Sequence, residues 1–309
     1  MGPAAPRKFG NGELNDQNFT ISLLASFPKS GNTWLRILLN QILSDGTSDD
    51  INDQKIGFNF SSSVLFDEAF GFDSSEFSSQ DFRATQHMVF DWYIQQNQSM
   101  VLKVHNIFDP AIFAHDPDWY GRVGAVYLVR NPLDVLLSAA SFYDYSIDTM
   151  MHLMCENKRS KETSRWMETS HHQYLDVGNW PKNVKSWLDA DIPKIIVRYE
   201  DLLAEPVKYF GAILDFLGLA CPRTTLIEAV ENTKFSKLQA AEEKAEYGFG
   251  EAVVRGQKFF RKGKSGDWKN SLSDSQVDYV ITHCGGMMKK FGYISDSNVP
   301  LTELAEASW

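Results

Sequence analysis

Apolar residues along the chain follow two patterns. Ile21–Phe27, Met100–Val104, Gly124–Val129 and Lys194–Arg198 are short apolar runs of strand length. Between them lie stretches whose apolar residues recur three and four apart. Leu35, Leu38, Leu39 and Ile42 do so within Thr33–Leu43, and Pro132–Tyr143 and Pro206–Leu217 each carry Pro in the first turn. A last helix is predicted over Asp274–Lys290. Strands separated by helices predict an α/β fold: one domain with a mostly parallel, doubly wound sheet. Ligands of such sheets gather where the carboxyl ends of the strands open into loops.

The pattern lapses in four places. Residues 1–19 read as a loose polar arm and 296–309 as a tail, leaving 20–295 for the domain. Asp45–Asp81 carries nine acidic residues against Lys55 alone, with six phenylalanines from Phe58 to Phe77. Residues 144–180 are polar and irregular, with Met150, Met151, Trp166 and the pair His171–His172. Both inner stretches read as insertions above the ligand edge, placed to line or cover a site, with solvated loops as the plain alternative.

Charge narrows the choice of partner. Lys and Arg number 30 against 40 Asp and Glu, a formal net charge of −10. Wholesale attraction to nucleic acid or to an anionic membrane is not expected, so an anionic ligand needs a local cluster of positive charge. Cys155, Cys221 and Cys284 have no metal-binding spacing, which suggests reduced thiols in a cytosol-like compartment. No apolar run of membrane-spanning length occurs and the N-terminus lacks a leader's apolar core, so a soluble, cytoplasmic protein is expected.

The strongest motif is Phe27-Pro28-Lys29-Ser30-Gly31-Asn32-Thr33-Trp34 at the first strand–helix junction. A helix N-terminus presents N–H groups and a positive dipole end, so a loop entering it can cradle a phosphate. It is not the nucleotide P-loop G-x-x-x-x-G-K-[ST], because Lys29 precedes Gly31. Leu102-Lys103-Val104-His105-Asn106 puts a histidine at a strand end. Arg130-Asn131-Pro132 follows another strand, with Ser138 two turns into the next helix, spacing that lets both meet one anion. Phe260-Arg261-Lys262-Gly263-Lys264-Ser265-Gly266-Asp267-Trp268 is a basic, glycine-containing flap in an acidic chain.

In this order the segments resemble those of the cytosolic-type sulfotransferases, over about residues 21–295. The resemblance implies a sulfotransferase using 3′-phosphoadenosine-5′-phosphosulfate (PAPS) and releasing 3′-phosphoadenosine 5′-phosphate (PAP). It implies that Lys29, Ser30, Gly31, Asn32, Thr33 and Trp34 form the 5′-phosphosulfate loop, Asn32 replacing the family's threonine while keeping a polar contact. It gives Arg130, Ser138, Arg261, Lys262 and Gly263 to the 3′-phosphate, and Trp34, Tyr199, Thr233, Phe235 and Leu238 to the adenine. His105 becomes the general base, with Lys29 at the bridging oxygen and Lys103 near the sulfonate oxygens, while Ser138, holding the 3′-phosphate, restrains Lys29 until the acceptor binds. No metal is implied.

The acceptor implied is a small molecule, bearing a hydroxyl or an amine, with cationic or neutral aromatics favoured if the acidic stretch lines the mouth. The family's dimer motif is not kept after Lys269, so the resemblance gives no oligomeric state. Two rival readings remain. A metal-dependent nucleotide kinase could use Glu200-Asp201 as its metal-holding acids, and a non-catalytic PAPS- or PAP-binding module would need no base.

Overall fold

A computed structural model of the chain describes residues 19–43, 56–71, 73–74, 77–96, 99–114, 116, 121–156, 176–245 and 258–301. Its centre is a parallel sheet of five strands, β1 (Ile21–Ser26), β2 (Phe58–Asn59), β3 (Met100–Val104), β4 (Val123–Val129) and β5 (Lys194–Arg198), in the order β2-β3-β1-β4-β5. The chain runs outward from β1 in one direction to β3 and then returns to β4 on the other side. The order therefore reverses around β1, and the carboxyl ends of β1, β3 and β4 open on one crevice.

Both faces of the sheet are covered. Leu23 and Ala25 of β1 pack with Tyr127, Leu136 and Met288 on one side. Leu24 packs with Leu35, Leu38, Phe210 and Ile213 on the other. The first face carries α5 (Pro132–Tyr143) and α12 (Asp274–Lys290), the second α1 (Asn32–Leu43), α9 (Pro206–Phe216) and α10 (Arg223–Asn232). Alternate strand residues thus bury in opposite layers, which is why these strands read as unbroken apolar runs.

The two inner stretches differ from the loops expected of them. Phe60 and Phe66 are buried in the core. The Phe66 ring lies 4.6 Å from Phe70, 5.1 Å from Phe77 and 5.6 Å from Phe82 between centroids. These rings join α2 (Ser63–Phe70) to α3 (Ser79–Gln95). Ser78 opens α3 with a capping box, its hydroxyl accepting from the Asp81 N–H while Asp81 reaches back to the Ser78 N–H. In the second stretch Ile147–Glu156 is α6, with Met150, Met151 and Met154 buried. Ile147, Met150, Met151 and Met154 fall at helical spacing, a period masked by the polar residues between them. The expectations for the arm to residue 18, for 45–55, for Trp166 and His171–His172, and for the tail from 302 lie outside the described residues. No described helix is long and apolar enough to cross a membrane.

Candidate active site

The loop after β1 bends sharply into α1. Lys29 has φ 66° and Gly31 φ 103°, both left-handed, and they aim the chain into α1. A Cβ on Gly31 would stand 2.6 Å from the Tyr199 ring, so glycine is required for the loop to pass this residue. Tyr199 opens α8 (Tyr199–Ala204) directly after β5.

Beneath the loop lies a cavity of about 340 Å³. It brings together nearly every residue singled out above. Lys29, Gly31, Asn32, Thr33 and Trp34 line it from the loop, and Lys103, His105, Arg130 and Ser138 from the neighbouring strand ends and α5. Tyr199, Thr233, Phe235, Leu238, Arg261, Lys262 and Gly263 close its far end. Ser30 is the exception: its side chain is fully buried behind the loop, and its hydroxyl has no partner among the described residues. Seven Lys and Arg residues line the cavity against two carboxylates, Asp134 and Asp267. Local positive charge is thus concentrated where an anion could enter, in a chain of net charge −10.

His105 follows β3, and the parallel register that pairs Ala25 with Val104 sets it beside Ser26. Its Nδ1 lies 2.8 Å from the Ser26 carbonyl and 3.3 Å from the Ser26 hydroxyl. Asn183, fully buried on α7 (Trp180–Leu188), donates through Nδ2 to the carbonyls of His105 at 3.0 Å and Val177 at 2.9 Å. It accepts from the Tyr127 hydroxyl at 2.8 Å. Burial, the charge of Lys103, and more weakly Arg36 and Lys29 hold the imidazole well below its ordinary pKa, against the opposing bond to Ser26. The ring is therefore neutral around pH 7.

The Lys29 ammonium sits 3.7 Å from the Phe142 ring centroid and 4.1 Å from that of Phe259. Arg130 leaves β4, stacks 4.4 Å over the Tyr199 ring, and donates to the Lys29 carbonyl at 3.0 Å and the Lys264 carbonyl at 3.1 Å. One guanidinium thus ties the loop to the flap. Within the flap, Lys262 and Arg261 meet Asp267 at 2.7 and 3.6 Å. Gly263 crosses the Phe235 ring so closely that a Cβ would lie 2.1 Å from it.

Two of the lining side chains also make hydrogen bonds within the protein. Asn32 spends its side-chain N–H groups on the Leu24 carbonyl at 2.7 Å and the Ser26 hydroxyl at 3.3 Å. The amide thereby braces the end of β1. Thr233 donates its hydroxyl to the Ala229 carbonyl at 2.8 Å, so its hydrogen is already engaged.

Glu200 and Asp201 are likewise engaged. Asp201 forms a buried bidentate pair with Arg198 at 2.7 Å. Glu200 accepts from the Asn131 N–H and the Tyr293 hydroxyl, both at 3.0 Å. Neither lines the cavity, so the metal-holding role that a kinase would give them lacks support.

The motif reading missed Asp134, Phe142 and Asn59. Asp134, Ser138 and Phe142 are four residues apart on α5, so helical spacing from Ser138 alone would have found the other two. Asn59 pairs with Lys103 across β2 and β3, a long-range neighbour no local pattern reveals.

A sulfotransferase-domain family model matches residues 20–292, and the chain belongs to that family. Mouse sulfotransferase 1A1 is 28% identical over 176 residues, which cover 54% of this chain and 56% of that enzyme. The alignment therefore spans about half the length of that relative. Rat sulfotransferase 2A6 is 23% identical over 83% of this chain and 80% of its own. The crystal structure of mouse sulfotransferase SULT7A1 complexed with PAP has the same fold, at TM-score 0.56 and 18% identity, covering 89% of this chain and 85% of its own. Retinol dehydratase in complex with androsterone and PAP matches at TM-score 0.54 and 18% identity, covering 87% and 81%.

Proposed function

We propose that the chain transfers the sulfonate group of PAPS to a hydroxyl or amine of a small-molecule acceptor and releases PAP, in the cytoplasm. The observation that carries this reading is the position of Arg130, bonded at once to the loop carbonyl of Lys29 and the flap carbonyl of Lys264. A cavity with cationic groups at both ends, joined by one arginine, suits a nucleotide phosphorylated at 5′ and 3′. The sulfotransferase family membership and the PAP named in the structure of similar fold support it.

The residues fit such a donor. Lys29, the Thr33 hydroxyl and the start of α1 would hold the 5′ end, and Arg130, Ser138, Arg261 and Lys262 the 3′-phosphate. Trp34 lines the same cavity, and its ring offers a flat face to a nucleobase. PAPS supplies an activated sulfonate whose leaving group is a phosphate. Against it His105 removes the acceptor's proton through Nε2, while Lys29 and Lys103 offset the negative charge that builds on departure. Transfer of this kind depends on alignment and charge more than on covalent help. Side-chain cations provide that charge here, so turnover should persist in EDTA.

Asn59, Phe142, Tyr143 and Val177 line the cavity with His105, and this reading gives them to the acceptor. That lining is neutral and largely apolar, so uncharged hydroxyl compounds with an apolar body are the acceptors it favours. The deciding experiment compares the melting shift given by PAP with that given by AMP. A clearly larger shift with PAP is expected. Equal shifts would leave Arg130 and the flap without a 3′-phosphate to bind and would refute the reading.

A further inference from the structure

We propose that Asp134 is the positioning residue that gives the site its preference for a 3′-phosphorylated nucleotide, by fixing the flap rather than by touching the ligand. This rests on the PAPS reading above. Asp134 lies in the first turn of α5 and is 2% exposed. Its Oδ2 accepts the Gly266 N–H at 2.7 Å and the Ser265 hydroxyl at 3.3 Å. Its Oδ1 accepts the Trp268 N–H at 3.3 Å. With the Arg130 bond to the Lys264 carbonyl, one end of the flap is fastened to the same β4–α5 segment that carries Arg130 and Ser138.

The other end is fastened elsewhere. Gln239 on α11 (Phe235–Lys244) donates to the Phe260 carbonyl at 2.9 Å and the Arg261 carbonyl at 3.2 Å. Glu242 accepts the N–H groups of Phe259 at 2.6 Å and Phe260 at 3.0 Å. Arg261, Lys262 and Gly263 therefore form an arch between two anchors.

Asp134 controls what the arch presents. Gly266, held by Asp134 with φ 83°, caps the 3₁₀ turn Asp267–Asn270, and that turn aims Asp267 at Lys262 and Arg261. Without the carboxylate the turn loses three acceptor contacts, and the flap's two cations lose their fixed position relative to Arg130. The first effect falls on the part of a ligand that the arch meets together with Arg130 and Ser138, the 3′-phosphate. A 5′-phosphate depends instead on the Lys29 loop and the start of α1.

The test is calorimetric titration of wild type and Asp134→Asn with PAP and with AMP, alongside turnover at saturating donor. The amide sets an N–H₂ against backbone N–H groups in a buried place. PAP binding should weaken about tenfold or more in Asp134→Asn, AMP binding should stay within about twofold, and saturated turnover within about threefold. Equal weakening of both nucleotides, or unchanged PAP affinity, overturns the inference while leaving sulfonate transfer intact. A wild-type protein that fails to prefer PAP overturns the functional reading instead. Should Asp134→Asn not fold, Ser265→Ala removes one contact from the exposed side of the flap. A smaller loss for PAP with AMP unchanged then supports the inference, and parallel losses or none overturn it.

Discussion

The Nδ1 atom of His105 lies 2.8 Å from the main-chain carbonyl of Ser26. A carbonyl can only accept, so Nδ1 carries the hydrogen and Nε2 keeps its lone pair. The tautomer needed to take a proton from an acceptor is thus set by a backbone atom of the neighbouring strand. No side-chain substitution can remove that partner directly.

Replacing His105 by Ala should therefore cut turnover of an aliphatic alcohol by about 10²–10⁴. PAP affinity should change little, because the imidazole serves the acceptor side. Near-normal turnover with an alcohol would make His105 structural. An acidic phenol is a poor choice of acceptor here, since it arrives already ionised and hides the loss.

The depressed pKa gives a second expectation. In the ligand-free protein the His105 ring should stay neutral well below pH 6.5, for burial and the Lys103 charge both oppose its protonation. Lys103→Met removes one of these, so the midpoint should move up toward the ordinary value. Bound PAP brings negative charge close by and should move it in the same direction. Imidazole titration by NMR reads all three cases. A midpoint that falls on PAP addition would contradict the sign.

Much of this site was legible in local sequence because its phosphate-facing pieces are strand-to-loop junctions with strict local chemistry. Lys29, His105 and Arg130 each lie just beyond a strand end, and a parallel sheet necessarily brings such ends together. What was not legible depends on contacts between distant segments. That the side-chain N–H groups of Asn32 are held by Leu24 and Ser26 shows only once the fold brings these residues together. Phe66 and Met150 pass for loop residues until the rings and helices that bury them are in place. Acidic and polar neighbours diluted the apolar period there, and a period is all that single-sequence reading can detect.

Gly31 permits a controlled test of the loop. Gly31→Ala meets two costs, a left-handed φ of 103° and a Cβ only 2.6 Å from the Tyr199 ring. Gly71→Ala meets only the first, with φ 70° and nothing within 4 Å of its Cβ. A left-handed alanine costs about 1–2 kcal/mol, so both variants should melt lower. Only Gly31→Ala should also lose PAP affinity, by about tenfold or more, since Tyr199 must move from the nucleotide end of the cavity. Equal PAP affinity in the two variants would separate Tyr199 from nucleotide binding.

The last expectation concerns Lys29, whose ammonium rests between the rings of Phe142 and Phe259 at 3.7 and 4.1 Å. Each ring face attracts the cation by about 0.5–2 kcal/mol, the more so where water is excluded. Any donor that draws Lys29 toward its phosphosulfate must overcome that attraction. Phe259→Leu keeps apolar bulk but removes one π face, so PAP should bind tighter, by roughly two- to thirtyfold on the same energy range. If Lys29 instead meets the donor without leaving the rings, the same variant should bind PAP more weakly. Phe259 also lines the cavity and could act on the nucleotide directly, which a double-mutant cycle separates. In a Lys29→Ala background the cation is gone, and Phe259→Leu should then leave PAP affinity unchanged. A gain that survives in that background would come from the ring's own contact with the nucleotide, and the aromatic pair would have no part in restraining Lys29.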